Sequence, residues 1–401
     1  MAVETRTLIL PAEAQRIVRA DLGVLPAEPT RLHDLCGRVL AEPIGAAEDL
    51  PPFYNSAMDG YAVRSQDAGA VPVSLRVVGQ VASGALWDRP LAAGEALRIM
   101  TGAPMPPGAD AVVRVEDTGE AQGLVEIRAA ATPGDNVRPA GEDYRRGDEA
   151  LSPGTVLTPV RVGVLAALGR TSALAIRPAR VAILATGNEL IEPGEPLAPG
   201  KVRNSNAYGL YAQVLEAGAV PVPLGVCGDD FDRTLERVEA ALEIADVLVT
   251  SGGVSMGRHD HVGRVLARLG EVFFTAVAQM PGKPLTFARV FGKPAFGLPG
   301  NPVSTLVNFE LYVRPVLRLL MGHEQPDRPR QRLPLGEPIT RKPAGKALYA
   351  RVTLRDGKLW LTGPQGSGLW QSLAKADGLA IVPVEDGPPA AGTVLEFVPL
   401  A

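Results

Sequence analysis

The pattern of apolar and polar positions changes near residue 179, where continuous apolar runs begin to alternate with amphipathic stretches. The run at 180–185 has the character of a strand buried on both faces, and further strands are predicted at 219–224, 246–250 and 293–298. The amphipathic stretches repeat every three to four positions, which is the period of a helix, at 205–216, 231–244, 261–269 and 303–320. Alternating strands and helices predict a parallel α/β sheet in this part of the chain.

The regions on either side have a different pattern, with short apolar strands divided by glycine and proline clusters. Between residues 71 and 128 this pattern predicts a small all-β domain. After residue 322, a charged, proline-rich link precedes strands at 349–354 and 359–362 around Asp356-Gly357, a hairpin signature. A short helix is predicted over 12–21. Ser205 or Asn206 is expected to cap the helix at 205–216, with Gly218 just past its end.

Composition and charge limit the class of protein. The 401 residues include 44 glycines and 37 prolines without a repeat, which indicates many tight turns. The 40 basic and 44 acidic residues give a net charge of −4, so nothing favours nucleic acid or a membrane surface as partner. Two cysteines, Cys36 and Cys227, cannot form a disulfide framework. Without a signal peptide or a spanning segment in the sequence, we expect a soluble cytoplasmic protein.

Three glycine-rich polar loops follow predicted strands of the α/β region. They are Thr186-Gly-Asn-Glu-Leu190, the segment after Thr250 with Ser251, Gly252, Gly253 and Ser255, and Pro299-Gly300-Asn301-Pro302. Ligands of open parallel sheets bind at the carboxyl ends of the strands, and glycine lets backbone amides approach an anion. Asn301 as N-cap with Pro302 at the first helical position would point a helix N-terminus at the same crevice. The alternative is that each loop is only a turn or a helix start.

Carboxylates are the second candidate chemistry. Glu189 and Asp260 lie in these loops and Asp229 follows another strand, whereas Asp59 and Asp143 lie in loops far away in sequence. A lone loop aspartate is usually a solvated turn residue. If several converged, their repulsion would require a cation such as Mg²⁺, which binds one or two carboxylates plus phosphate oxygens. Nothing favours a zinc site, a serine-hydrolase elbow or a P-loop.

Seven motifs in order resemble those of the molybdopterin molybdenumtransferases, a bacterial family related to the gephyrin E domain. They are Pro52–Ala62, Met100–Pro104, Gly141–Asp143, Thr186–Leu190, Ser251–Ser255, Pro281–Pro284 and Gly297–Ser304. Each is weak alone, but together they span nearly the whole chain. The loop Asn55-Ser-Ala-Met-Asp-Gly-Tyr61 distinguishes the chain from pterin adenylyltransferases and from the competence-damage-inducible family, which share only the α/β motifs.

The resemblance implies a fold class of α/β plus all-β, arranged as four domains. A central three-layer α/β domain with a mostly parallel sheet is expected at 179–325 and a small inserted β domain at 46–139. An elongated linker domain is expected at 1–45 and 140–178, and a C-terminal β-barrel-like domain at 326–401. The resemblance also implies a homodimer, with an active site between the α/β domain of one subunit and the β domain of the other.

The implied reaction converts adenylylated molybdopterin and molybdate into molybdenum cofactor, AMP and water, with Mg²⁺ required. A molybdopterin adenylyltransferase is then the expected upstream partner. The resemblance carries catalytic roles to Asp59, Thr101, Asp143, Glu189, Asp229 and Asp260, with Asp59, Glu189 and Asp260 as metal ligands. Substrate binding is expected at Ser251, Gly252, Gly253, Ser255, Lys283, Pro299, Gly300, Asn301, Pro302, Arg351 and Ser372.

Two positions depart from the family pattern. The family often has Asp where this chain has Asn188, and it commonly has Lys where this chain has Met280. Lys283 is then the nearest cation for an oxyanion. Three rival functions remain open: nucleotidyl transfer or hydrolysis like that of an adenylyltransferase, a gephyrin-like scaffold, and transfer of tungstate in place of molybdate.

Overall fold

The computed structural model describes residues 8–254 and 261–400. These form two compact units. The first comprises Met1–Glu28, Gly37–Val39 and Leu174–Ala401, and the second comprises Pro29–Cys36 and Leu40–Ala173. The combination of an α/β sheet with all-β regions confirms the predicted fold class, whereas the four-domain boundaries remain a prediction.

A seven-stranded sheet is the centre of the first unit. Its strands lie in the order Leu8–Ile9, Gly270–Val277, Pro284–Val290, Lys293–Leu298, Val247–Ser251, Arg180–Thr186 and Val220–Cys227. Arg180–Thr186 is buried at every position after Arg180, as its apolar run predicts. The strand order jumps in the middle of the sheet, and such a switch point leaves a crevice at the carboxyl ends of the strands.

Helices cover both faces of this sheet. On one face Val181 and Ile183 pack in a cluster with Leu210 and Val214 of the helix Ser205–Glu216. On the other face the neighbouring strand residues pack against the helices Phe231–Ile244 and His261–Leu269. Alternate residues of one strand therefore enter opposite cores, which produces three layers. The helix Pro11–Arg19 belongs to the same unit.

The structure refines the sequence prediction at two places in this unit. The sheet is mostly parallel, as expected, but Pro284–Val290 is antiparallel to both of its neighbours. The segment predicted as one helix over 303–320 consists of Pro302–Asn308, a π-helical turn Phe309–Val313, and Arg314–Leu320. Pro315 has no N–H to donate to the preceding turn, and a regular α-helical ladder cannot continue across it.

The last part of the first unit is a six-stranded β structure. Its strands are Gln279–Met280, Gln331–Pro334, Ala347–Arg355, Lys358–Leu361, Gly378–Val382 and Val394–Pro399. Asp356 and Gly357 both have positive φ angles, of 49° and 71°, as the predicted hairpin requires. A short helix, Trp370–Ala374, follows the loop at residues 363–369. The pair Leu190–Ile191 and Val202–Arg203 forms a small ribbon beside the α/β sheet.

The second unit contains a six-stranded sheet. In spatial order its strands are Ala111–Arg114, Gly60–Val63, Glu95–Ile99, Val73–Val81, Leu124–Ile127 and Thr118–Ala121. Two ribbons pair Asn55–Ser56 with Val137–Arg138 and Ile44–Gly45 with Glu149–Leu151. The helix Pro159–Ala167 is capped by the Thr158 side chain, and 3₁₀ turns lie at Leu32–Asp34, Ser65–Asp67 and Val115–Asp117. Two further strands, Ala27–Arg31 and Ser172–Ile176, lie where the chain passes from one unit to the other.

Candidate active site

The three glycine-rich loops of the α/β domain line one cavity of about 840 Å³. Thr186 and Glu189 come from the first loop, Ser251 and Gly252 from the second. The third loop contributes Gly300, Asn301 and Pro302. The predicted convergence of these loops at the carboxyl end of the sheet is therefore present in the structure. The volume lies in the range of sites that enclose a small molecule.

Glycine is required at the centre of the second loop. Gly252 has a φ of +93°, and a Cβ added there would lie 2.3 Å from the Thr186 carbonyl oxygen. Gly253 has a φ of +69°, and its Cβ would lie 2.6 Å from the Val262 side chain. The loop thus combines a left-handed backbone with close packing, which no larger residue tolerates without displacement. This geometry keeps the backbone of the loop open to the cavity.

An acidic pair faces a second, adjoining cavity of about 290 Å³. Glu189 and Asp229 both line it, together with Gly252, Gly253 and Asn301. Among the residues that the structure describes, no three His, Cys, Asp or Glu side chains form a cluster able to hold a metal. Two carboxylates on one cavity nevertheless suit Mg²⁺, which takes its remaining ligands from water and substrate phosphates.

Asn188, where the family often has Asp, fixes the position of Asp229. The Asn188 backbone N–H donates to Asp229 Oδ2 at 3.3 Å, and the Asp229 N–H donates to Asn188 Oδ1 at 3.2 Å. A carboxylate at position 188 would accept the second of these bonds equally well. The amide therefore keeps the hydrogen-bonding geometry and places no second negative charge beside Asp229.

Asn206 connects two of the loops, a role that its sequence did not indicate. Its Nδ2 donates to Ser251 Oγ and to the Gly300 carbonyl oxygen, both at 2.8 Å, and more weakly to Thr305 Oγ1 at 3.3 Å. The expectation that Ser205 or Asn206 caps the helix was wrong, because the N-cap is Asn204. Asn206 lies inside the helix and lines the larger cavity, where its side chain contacts the second and third loops.

Lys201 and Arg203 are cavity residues that the motifs did not single out. Both line the larger cavity. Lys201 Nζ donates to the Asn188 carbonyl oxygen at 2.6 Å, which attaches this segment to the first loop. The available signal was that Lys201 is one of only seven lysines and follows the first loop closely in sequence.

Arg351 and Ser372 lie beneath the loop at residues 363–369. Arg351 is fully buried; its Nε donates to Ser372 Oγ at 3.0 Å and its Nη2 to the Gly366 carbonyl oxygen at 3.1 Å. Burial lowers the pKa of Arg351 to about 10. The loop ends at Trp370, which lines the larger cavity with Gly368. Direct binding of substrate by Arg351 and Ser372 remains a prediction.

Three further positions considered for substrate binding lie in separate environments: Lys283, Met280 and Pro299. Lys283 is half-buried, and its carbonyl oxygen accepts from the Val277 N–H at 2.9 Å. Met280 packs against the apolar cluster of the C-terminal strands, as an uncharged side chain can. Pro299 is buried, lines the smaller cavity, and its carbonyl oxygen accepts from Ser251 Oγ at 3.4 Å.

The second unit contains the remaining predicted residues. Asp59 Oδ1 accepts from both the backbone N–H and the hydroxyl of Thr101, each at 2.7 Å. These two bonds lower the pKa of Asp59, the backbone one most. Asp143 lines a separate cavity of about 370 Å³ with Arg138 and Glu142. Ser255 and Asp260 lie outside the described residues, so the predicted meeting of Asp59, Glu189 and Asp260 stays a prediction.

Comparison with known proteins matches the chain along almost its whole length. Three sequence families match in order: "MoeA N-terminal region (domain I and II)" at residues 9–169, "Probable molybdopterin binding domain" at 182–319, and "MoeA C-terminal region (domain IV)" at 332–400. The chain is 40% identical over 399 residues to Molybdopterin molybdenumtransferase 2 of Mycobacterium tuberculosis, covering 96% of this chain and 98% of that protein. The chain belongs to the molybdopterin molybdenumtransferase family.

Other members of the molybdopterin molybdenumtransferase family agree in sequence and in structure. The Bacillus subtilis molybdopterin molybdenumtransferase is 37% identical, covering 95% of this chain and 91% of that protein. A crystal structure of the molybdopterin biosynthesis MoeA protein from Pyrococcus horikoshii superposes with a TM-score of 0.82 at 32% identity, covering 98% of this chain and 99% of that one. The resemblance predicted from the seven motifs is thus confirmed.

Proposed function

We propose that this chain transfers molybdenum from molybdate to adenylylated molybdopterin and releases AMP, with Mg²⁺ as the required cation. The observation that carries the proposal is the convergence of three glycine-rich loops and the Glu189 carboxylate on one cavity at the end of the sheet. Membership in the molybdopterin molybdenumtransferase family supports the same substrate class.

The glycine loops supply the part of the site that suits a pyrophosphate. Gly252 and Gly253 leave the second loop without side chains toward the cavity, so that a phosphate can approach the backbone. The helical segment Pro302–Asn308 adds little to this phosphate site, because Pro302 has no N–H and the Val303 N–H already donates to the Ser367 carbonyl oxygen at 3.1 Å. Asn206 keeps the second and third loops in register, and this fixes the groups that bind substrate before it arrives.

The carboxylates supply the metal-binding part of the proposal. Glu189 and Asp229, which line one cavity, would hold Mg²⁺ together with phosphate oxygens of the substrate. Asp59 and Asp260 are the other two metal ligands that the resemblance implies. When bound, Mg²⁺ would neutralise the negative charge of the pyrophosphate and of the leaving AMP. Asn188 helps by holding Asp229 in place without adding a further negative charge.

Asp59 is proposed as an ionised catalytic carboxylate. Its two bonds from Thr101 stabilise the charged form, so it carries a negative charge throughout the neutral range. Asp143 is assigned to the same chemistry on the basis of its motif. The homodimer, the cytoplasmic location and an upstream molybdopterin adenylyltransferase belong to this proposal. Among the described residues no helix has the length and apolarity needed to cross a bilayer.

The test is AMP release from adenylylated molybdopterin with the purified full-length chain. We expect release that depends on both Mg²⁺ and molybdate and is lost in Glu189→Gln and Asp59→Asn. Glu385→Gln is the control, because Glu385 is exposed and lines none of these cavities. Running the assay with tungstate in place of molybdate measures the preference between the two oxyanions.

Three results would contradict all or part of the proposal. Consumption of ATP with unmodified molybdopterin as substrate would identify an adenylyltransferase. Peptide binding without any turnover would identify a scaffold. Undiminished turnover in both Glu189→Gln and Asp59→Asn would remove the carboxylate assignment even if AMP is released.

A further inference from the structure

We propose that Arg203 and Trp370 form a recognition subsite for a flat heteroaromatic ring that carries a phosphate group. The subsite lies in the larger cavity, and the inference rests on the proposed function, whose substrate contains both rings and phosphates. Adenine and the pterin are two sources of this one chemistry. The ring would stack on the indole of Trp370 while the guanidinium of Arg203 binds the phosphate.

Charge is the first observation that supports the subsite. The described lining of the larger cavity contains two cations, Lys201 and Arg203, and one carboxylate, Glu189. Lys201 is already bonded to the Asn188 carbonyl oxygen at 2.6 Å. The Arg203 side chain is exposed, with no hydrogen bond or ion pair to any residue in 8–254 or 261–400. A free guanidinium beside a cavity presents paired donors that match phosphate oxygens.

The second observation is the position of the Trp370 indole. This side chain is 38% exposed and lines the cavity. It lies against the helix Ser205–Glu216 at Gly209, where an added Cβ would be 3.6 Å from Trp370 Cη2 and 3.0 Å from Leu306 Cδ2. Apolar neighbours on the cavity wall are Leu190, Leu197 and Val202. An exposed aromatic surface in a partly apolar cavity is the environment in which bases stack on proteins.

The third observation is that hydrogen bonds hold the segment that carries Trp370 in place. The guanidinium of Arg351 donates to the Gly366 carbonyl oxygen, which precedes Trp370 in the chain, and to Ser372 Oγ, which follows it. The Val303 N–H donates to the Ser367 carbonyl oxygen at 3.1 Å, which attaches the same loop to the helical segment at 302–308. Trp370 is therefore held before a ligand binds, and little conformational freedom remains to be lost. In this arrangement Arg351 is a positioning residue.

The experiment measures equilibrium binding to the full chain in the presence of Mg²⁺, without molybdate. AMP, adenosine, neopterin monophosphate and neopterin are titrated separately by calorimetry. We expect Arg203→Gln to weaken the phosphorylated ligands about tenfold and to leave the unphosphorylated ones unchanged. Trp370→Leu should weaken both forms about tenfold, whereas Trp370→Phe should keep most of the affinity. Preference for AMP or for neopterin monophosphate identifies which ring occupies the subsite.

Arg332→Gln is the matched control, because Arg332 is exposed and lines none of the cavities described above. Quenching of tryptophan fluorescence by the ligand should disappear in Trp370→Leu while the thermal unfolding transition remains. Unchanged binding of all four ligands in Arg203→Gln and Trp370→Leu would overturn the subsite, as would absence of binding to the wild type. Variant-sensitive binding without AMP release would retain the subsite and refute the proposed function.

Discussion

One carboxylate oxygen of Asp59 accepts two hydrogen bonds from Thr101, one from its backbone N–H and one from its hydroxyl, both at 2.7 Å. The residues are 42 positions apart, and each belongs to a separate sequence motif. Because both donors stabilise the ionised form, they lower the pKa of Asp59. The paired motifs therefore act as one unit that keeps this carboxylate charged and oriented.

Replacement of Thr101 by valine should raise the pKa of Asp59 toward its ordinary value of 3.8, because one of the two donors is lost. A carboxyl-carbon NMR titration, assigned with Asp59→Asn, would measure this change. Activity should fall while the fold remains, because Asp59 loses its orientation as well as a donor.

A matched control exists in the same unit. Asp135 Oδ2 accepts from the Thr132 N–H at 2.7 Å and from the Thr132 hydroxyl at 2.9 Å, and its pKa is lowered in the same way. Thr132→Val should raise the pKa of Asp135 and leave AMP release unchanged. Equal loss of activity in Thr101→Val and Thr132→Val would show that the effect is structural and not specific to Asp59.

Gly252→Ala should destabilise the chain by about 2–4 kcal/mol, since it combines a strained φ with a clash against the Thr186 carbonyl. Gly292→Ala is the control: its φ is +75°, but no atom lies within 4 Å of the added Cβ. That substitution should cost about 1 kcal/mol. Urea unfolding measures both values, and similar costs at the two positions would contradict the close approach at Gly252.

Asn206→Ala should lower the free energy of unfolding by about 1–3 kcal/mol, because it removes the donor that connects two cavity loops. It should also raise the KM for adenylylated molybdopterin. Gln213→Ala removes one bond, to the Leu306 carbonyl oxygen, from the same helix. This control should cost about 1 kcal/mol without a change in KM. An unchanged KM in Asn206→Ala would separate the loop connection from substrate binding.

His323 should make the protein less stable in mild acid. Burial, together with the nearby Arg318 and Arg314 cations, lowers its pKa from 6.5 to about 4. The unfolded chain therefore binds one more proton than the folded chain between these values. The stability that His323 contributes is complete above pH 6.5 and is lost as the pH falls toward 4.

Chemical denaturation at a series of pH values tests this prediction. In His323→Asn, the slope of unfolding free energy against pH between 4 and 6.5 should be shallower by at most about 1.4 kcal/mol per pH unit. Above pH 7 the two slopes should coincide. Parallel slopes throughout the acid range would mean that His323 is not held neutral in the folded state.

The local pattern was sufficient for most elements of the α/β domain. The helices Ser205–Glu216, Phe231–Ile244 and His261–Leu269 have the predicted bounds, because a helix forms its hydrogen bonds within its own segment and shows its buried face as a 3.6-residue period. The Asp356-Gly357 hairpin was predicted for a similar reason, since two consecutive residues with positive φ favour this dipeptide. The order of the loop motifs was enough to indicate the family and the convergence of three glycine-rich loops on one cavity.

Strand direction and side-chain contacts between distant segments were decided only by the tertiary structure. The antiparallel direction of Pro284–Val290 follows from which strands it pairs with, and strand residues carry no local signal of that choice. The connection of two loops by Asn206 and the support of Trp370 by buried Arg351 required segments from across the first unit to meet. The sequence by itself determined most of the elements of the α/β domain and their glycine-rich ends, because these are short-range properties of the backbone. Which side chains share a cavity was decided only by packing, because proximity between distant segments is a property of the folded chain.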